Sequence, residues 1–147
     1  MCALPSLALA LILAGLLGGC GPERDPDAPL IQQLRFTGQA PKNVLVLLFA
    51  ADFEDVNGDL SGGTLTPYVN RQETGEQALT LVDVLLASGL SENATQGELR
   101  FNLEIEMSLD PATRPGEGAT FDVGIEIQDA AGKVSNRPHV TLKIDYP

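Results

Sequence analysis

The sequence predicts an all-β protein, a two-sheet antiparallel sandwich of about six to seven strands with room for a short helix near residues 80–88. Three observations lead to this fold class. Several segments alternate apolar and polar residues with a period of two, as half-buried strands do. Stretches rich in glycine, proline and aspartate separate these segments at short intervals. One further segment is almost wholly apolar, which is typical of a central strand.

The alternating pattern is clearest in the second half of the chain. It is present in segments 99–109, 121–128 and 140–146, and links 111–118 and 129–137 have the composition of hairpin connections. The sequence therefore predicts three antiparallel neighbours in this half.

Upstream, the apolar run covers residues 43–51 and predicts a central strand that is covered on both faces. Residues 30–36 and 64–69 are weaker strand candidates. Pro67 favours an edge position or a bulge for the second of them, because proline cannot donate a hydrogen bond to a sheet ladder.

Residues 78–89 have two interpretations. Apolar residues at positions 78, 81, 82, 85 and 86 follow helical spacing, and Gly89 would cap the helix at its C-terminus. The run Leu79-Thr80-Leu81 equally fits a strand that enters a short helix. We expect a helical turn inserted between sheet strands.

The first nineteen residues contain no charged side chain and end in small residues. A spanning helix needs about 20 apolar residues, so this run suits a processed signal segment better than a permanent span. Leu17-Gly18-Gly19-Cys20 resembles the lipobox of bacterial lipoproteins, although residues 1–6 lack the usual Lys or Arg. A signal peptide cut without lipidation and an uncleaved anchor helix are the alternatives.

The resemblance implies cleavage between Gly19 and Cys20, followed by addition of a diacylglycerol and an N-acyl chain to Cys20, which would tether the protein to a membrane. Gly21 stands where the family's inner-membrane retention signal is an aspartate, which favours the outer membrane of the cell envelope. The expected organisation is a signal peptide over residues 1–19, the lipidated cysteine with a Pro-rich extended linker over 20–29, and a β-sandwich domain over 30–147.

Acidic residues outnumber basic ones by 20 to 9, which gives a formal net charge of −11, and every charged side chain follows Cys20. This balance argues against nucleic acid as a partner, because nucleic-acid binding needs a basic surface. It also argues against a domain that lies flat on anionic lipid. Solubility in a crowded envelope and binding of divalent cations are the two uses that remain.

Two stretches resemble bacterial immunoglobulin-like and fibronectin-III-like domains. They are DFEDVNGDL at residues 52–60 and VGIEIQDAAGKVSN at residues 123–136, in which Lys133 replaces the family's usual asparagine. The resemblance covers residues 30–147 and implies an immunoglobulin-like sandwich. It also implies that the loops at residues 52–62 and 129–136 lie at the same end of the domain, where the chain enters it.

Oxygen ligands crowd the first of these stretches, and its Asp-x-Asn-Gly-Asp segment has the tight glycine turn that suits Ca²⁺. The candidate calcium ligands are Asp52, Asp55, Asn57, Asp59 and, from the second stretch, Asp129. The segment is no EF-hand, because the position of the bidentate glutamate is occupied by Thr66. A turn rich in Asp and Asn that is simply solvated by water is the alternative.

The sequence proposes no catalytic set, since His139 is the single histidine and no serine has an evident base beside it. We therefore predict a non-enzymatic structural or protein-interaction module of the envelope, with an envelope protein or a polysaccharide as partner and no cofactor other than calcium. The alternative is a calcium-dependent adhesion or carbohydrate-binding module, for which Phe53 and Tyr68 are the aromatic residues expected to be exposed near a loop.

Overall fold

A computed structural model describes residues 24–39, 45–73, 78–105 and 119–144. The expected signal peptide with Gly19 and Cys20, and the predicted link 111–118, lie outside these residues. Within the part of the chain that is described, no helix is long and apolar enough to cross a membrane.

Strands make up most of the described chain, with one helix and one 3₁₀ turn. In chain order the elements are β1 (Leu30–Gln39), β2 (Leu45–Glu54), the 3₁₀ turn (Leu60–Gly62), β3 (Thr64–Val69), β4 (Gln72–Glu73), β5 (Leu79–Thr80), α1 (Leu81–Ala87), β6 (Gln96–Ile105), β7 (Ala119–Gln128) and β8 (His139–Ile144). One antiparallel sheet has the order β1-β2-β6, and the other has the order β4-β3-β7-β8 with β5 also paired to β3. The predicted two-sheet antiparallel sandwich is confirmed. The prediction of three antiparallel neighbours in the second half is wrong for β6, which pairs with β2, whereas β7 and β8 pair with each other in the other sheet.

The core lies between the two sheets and takes alternate residues from each strand. The buried apolar side chains include Leu47, Phe49 and Phe53 from β2, Leu99, Phe101 and Leu103 from β6, and Val123, Ile125 and Ile127 from β7. The rings of Phe49 and Phe101 stack with centroids 5.7 Å apart and planes 14° from parallel. Burial of each side chain of this size stabilises the folded state by about 1.5–3 kcal/mol. The faces that carry these apolar residues in the period-two pattern are therefore the faces that turn inward.

The strand β2 is central in its sheet, as the apolar run predicts. The prediction that both of its faces are covered is wrong for Val46 and Leu48. Leu47 and Phe49 point into the core, while Val46 and Leu48 on the outer face remain partly exposed. Ala50 on the same face is only 3% exposed, so the outer face is covered in part. The apolar run therefore reflects the central position of the strand more than burial on both faces.

Pro67 lies in β3 where the strand tolerates it. β5 pairs with Thr64 and Leu65, β4 pairs with Tyr68 and Val69, and Pro67 falls between the two pairings. Proline therefore occupies an interruption along one side of the strand, which agrees with its inability to donate to a ladder.

The segment 78–89 combines its two interpretations, because the two-residue strand β5 runs directly into helix α1. After the helix, the N–H of Leu90 donates to the carbonyl of Leu85 at 2.9 Å and that of Gly89 donates to Leu86 at 3.0 Å. This pair of bonds is the Schellman motif, and Gly89 adopts the left-handed conformation that it requires, with φ of 76°.

Candidate metal centre

Two loops meet at the end of the sandwich where β1 begins. One loop follows β2 and contains residues 55–59, and the other follows β7 and contains residues 129–136. The chain between the 3₁₀ turn and β3 packs so closely on the second loop that a Cβ atom at Gly63 would overlap the backbone oxygen of Gln128. Glycine is needed there, and the approach brings Asp59 beside Ala130, whose N–H donates to the Asp59 carbonyl at 3.3 Å.

Three aspartates converge where the loops meet, and we refer to Asp55, Asp59 and Asp129 as the acidic cluster. Each offers a carboxylate oxygen, and these three oxygens lie within 4.8 Å of one another. Asp55 is 1% exposed and Asp129 is 3% exposed, while Asp59 is half-buried. A cluster of carboxylates at this depth needs compensation, because burying an unpaired charge is strongly unfavourable.

The backbone holds two of these carboxylates by one oxygen each. The N–H of Asp59 donates to Asp55 Oδ2 at 3.0 Å, and the N–H of Lys133 donates to Asp129 Oδ1 at 2.7 Å. The remaining oxygens, Asp55 Oδ1 and Asp129 Oδ2, are buried and have no hydrogen-bond donor among the described residues, and the same is true of Asp59 Oδ1. Each aspartate of the cluster thus keeps one buried acceptor oxygen unused.

Burial and mutual repulsion act on the titration of Asp55. Burial raises its pKa, and the neighbouring negative charges of Asp59 and Asp129 raise it further, against the opposing effect of hydrogen bonds from the backbone of Asp59 and Asn57. None of the ion pairs formed between described residues includes a member of the cluster. The described residues therefore bring three acidic groups together without pairing any of them to a basic side chain.

Asp52, another of the predicted ligands, lies outside the cluster. It belongs to β2 and points from the outer face of the three-stranded sheet, where Arg35 Nη2 donates to Asp52 Oδ1 at 3.0 Å. Arg35 also pairs with Glu98 at 2.6 Å. Both oxygens of Asp52 accept hydrogen bonds from Arg35, so the charge of this carboxylate is already paired within the chain.

Asn57 is exposed and also lies apart from the cluster, and its Nδ2 donates to the carbonyl of Asp27 at 3.3 Å. Of the five predicted ligands, the structure thus brings together Asp55, Asp59 and Asp129. Gly58, between them in the sequence, has φ of 64°, and a Cβ atom there would lie 2.9 Å from the carbonyl oxygen of Asn93. This glycine gives the first loop the tight turn that the sequence predicts.

The two aromatic residues expected at the surface are in fact buried. Phe53 is 1% exposed within the core, and Tyr68 is 7% exposed because Arg137 stacks over its ring, with the guanidinium carbon 3.7 Å from the ring centroid. The prediction of exposed rings near a loop is wrong, since Phe53 points inward by the alternation of β2. Neither residue offers a platform for a sugar ring.

The sequence did not predict how the residues before β1 are placed. Residues 24–29, here called the N-terminal turn, fold back instead of extending as the expected linker would, and Ala28 and Pro29 are buried. The N–H of Ala28 donates to the Asp25 carbonyl at 3.1 Å. The sequence feature related to this placement is Lys133, which replaces the usual asparagine in the second loop. Its Nζ lies 3.0 Å from Asp27 Oδ2 of the N-terminal turn.

Comparison with models of known protein families, with curated protein sequences and with solved structures finds no match for this chain. The chemistry of the cluster is therefore the basis for a function. Its ligands are carboxylate oxygens without thiol or imidazole, which suits Ca²⁺ and Mg²⁺ and not the softer transition metals.

Proposed function

We propose that this chain is a non-enzymatic β-sandwich module of the bacterial cell envelope, tethered by a lipid on Cys20, whose loop end binds one calcium ion in the acidic cluster. The observation that carries the proposal is the set of three buried carboxylate oxygens without hydrogen-bond donors among the described residues. A divalent cation would supply the missing partner to all three at once.

Calcium fits this cluster better than magnesium does. Calcium accepts six to eight oxygen ligands in irregular geometry, so three carboxylates can be completed by backbone carbonyls and water. Magnesium requires nearly ideal octahedral geometry and gives up its water reluctantly. The cluster is assembled from two loops on different sheets, which is a poor source of strict octahedral angles.

A bound cation would also connect the two sheets. Asp55 follows β2 of the three-stranded sheet, and Asp129 follows β7 of the other sheet. Both cysteines of the chain are expected to be unavailable for a disulfide, because Cys2 leaves with the signal peptide and Cys20 is lipidated. Calcium would then act as the cross-link of a module that meets its envelope partner, a protein or a polysaccharide, elsewhere on its surface.

Calcium titration of the purified full-length chain in detergent, after removal of metal with EDTA, tests the proposal. We expect one site per chain with a dissociation constant of about 10⁻⁴–10⁻³ M, the range of extracellular calcium modules. At a hundredfold excess over the dissociation constant the ion adds about 2.7 kcal/mol of stability. For a domain of this size that is a rise in Tm of roughly 10 °C.

Isothermal titration calorimetry and thermal unfolding measure these two quantities, with magnesium as the comparison ion. Absence of both a binding heat and a Tm shift up to about 100 mM calcium, a hundredfold excess over the weakest expected dissociation constant, would refute the calcium site. The tether is tested separately, since palmitate labelling of the protein and its loss in Cys20→Ser are expected only if Cys20 is lipidated.

A further inference from the structure

The N-terminal turn is held by the same two loops that form the acidic cluster. Lys133 Nζ lies 3.4 Å from Asp25 Oδ2 and 3.0 Å from Asp27 Oδ2, and Asn57 Nδ2 donates to the Asp27 carbonyl. Lys133 belongs to the second loop and Asn57 to the first. The position of the turn therefore depends on the conformation of both loops.

Lys133 links the turn directly to the acidic cluster. Its backbone N–H donates to Asp129 Oδ1 at 2.7 Å, and its carbonyl accepts from the Asp129 N–H at 3.0 Å. Its ammonium reaches the two carboxylates of the turn, and the hydrogen bond to Asp27 is the main reason that the pKa of Lys133 is raised. One residue thus contacts a cluster carboxylate through its backbone and the turn through its side chain.

Charge also couples the two features. The cluster brings three carboxylates to the loop end, and the turn adds Asp25 and Asp27 to the same end. Two positive charges from a calcium ion would offset most of the cluster's charge, and the aspartates of the turn would be repelled less. Ordering of the two loops and weaker repulsion of Asp25 and Asp27 would both favour docking of the N-terminal turn.

We propose that calcium bound in the acidic cluster locks the N-terminal turn onto the domain through Lys133, so that the ion controls how far the domain reaches from its anchor. This inference rests on the proposed calcium function. By linkage, docking of the turn in return strengthens calcium binding by the same factor.

The consequence for the tether is geometric. With the turn released, residues 21–29 can span at most roughly 30 Å between Cys20 and β1. With the turn docked, only residues 21–23 remain between the anchor and the domain, and they span at most roughly 10 Å. A calcium-bound domain would therefore be confined close to the membrane surface.

Hydrogen exchange on the full-length chain in detergent tests the coupling. In the docked turn the N–H of Asp27 donates to Asp25 Oδ1 at 3.0 Å and the N–H of Ala28 donates to the Asp25 carbonyl. We expect saturating calcium, compared with EDTA, to slow exchange by about tenfold or more in peptides covering residues 25–28 and in those covering both loops.

The variant Lys133→Met removes the ammonium and keeps the backbone bond to Asp129. We expect calcium still to protect the loops of this variant but no longer to protect residues 25–28. Arg71→Met is the matched control, because Arg71 is an exposed cation whose ion partner is Asp122, outside both loops, and it should behave as the parent chain does.

The possible results separate the two proposals. Protection of the loops by calcium without any change at residues 25–28 in the parent chain would overturn the coupling and leave the calcium site standing. Equal protection of residues 25–28 in Lys133→Met and the parent would also overturn it. Protection of neither region would remove the calcium site and, with it, the coupling.

Discussion

Asp52 and Asp55 are three residues apart in the sequence, yet their carboxylates occupy opposite environments. Asp52 lies on the outer face of the three-stranded sheet, partly exposed, with both oxygens bonded to Arg35. Asp55 lies just beyond the end of β2, almost fully buried, beside two other aspartates. The pKa of Asp52 is lowered, mainly by its hydrogen bonds from Arg35, whereas burial raises that of Asp55.

The difference separates two ways of satisfying acidic groups. On the sheet face, the chain supplies guanidinium groups, and the pKa of Glu98 is lowered by its hydrogen bonds from Arg100 and Arg35. At the loop end, the chain buries carboxylates but provides no cation of its own among the described ion pairs. Uncompensated burial is costly, and the calcium ion that we propose for the second region would supply the missing positive charge from solution.

The largest expected effect is on calcium affinity. Asp55→Asn keeps the shape and the acceptor for the Asp59 N–H but removes one ligand charge, and we expect calcium to bind about 100-fold more weakly or not at all. Asp52→Asn is the matched control and should change the dissociation constant by less than about twofold. Calorimetric titration of the two variants measures the difference, and equal losses in both would break the comparison.

A smaller effect is expected on the pH dependence of stability without metal. Because folding raises the pKa of Asp55, the folded state takes up its proton at a higher pH than the unfolded chain does. The stabilisation from protonated Asp55 is complete below the unfolded pKa of about 3.9 and is lost as pH rises through the folded pKa. In EDTA, stability should therefore rise on acidification toward pH 4, by about 1.4 kcal/mol for each unit by which the pKa is raised.

Urea unfolding between neutral pH and pH 4 measures how the free energy of unfolding depends on pH, and Asp55→Asn should weaken this dependence because the titrating group is gone. The pKa of Asp52 is shifted in the opposite direction. Its lowered pKa contributes stability above the unfolded value, and that contribution is lost only as pH falls through the folded value. If the free energy of unfolding of Asp55→Asn depends on pH as steeply as that of the parent chain, Asp55 is not the group whose titration changes the stability.

The smallest expected effect concerns the sheet face. Arg35→Met leaves Asp52 and Glu98 without their shared guanidinium, and since Arg35 is about a third exposed we expect a loss of only about 1 kcal/mol in the free energy of unfolding. The loss should shrink at high salt, because salt screens exposed pairs. Calcium affinity should stay the same, and a clear change in it would mean that the two regions are not independent.

Much of the fold was predictable from local pattern. The alternation from Leu99 onward and around Ile125 predicted the inner faces of β6 and β7, because side chains in a strand point alternately to opposite sides. Helical spacing and Gly89 predicted α1, and the structure shows the glycine in the left-handed conformation that ends the helix. The prediction that β2 is covered on both faces was wrong, because a central strand and a strand buried on both faces have the same apolar composition.

The candidate site was predictable in part. An acidic turn at residues 55–59 and a related stretch at 129–136 indicated carboxylate ligands from two loops, and the structure brings Asp55, Asp59 and Asp129 together. The exclusion of Asp52 was not predictable, because it depends on how far β2 extends. The strand continues to Glu54, and its alternation turns Asp52 to the outer face opposite Glu98.

Local sequence pattern was enough to predict the strands, the short helix and the acidic character of one loop, because each of these depends on residues close together in the chain. Tertiary structure decided which carboxylates meet. Gly63 lets the chain before β3 contact Gln128, which brings Asp59 to Asp129, and the second loop carries Lys133 to Asp27 across more than a hundred residues of sequence. Such contacts depend on the packing of the two sheets, and packing decides which buried charges find a partner within the chain.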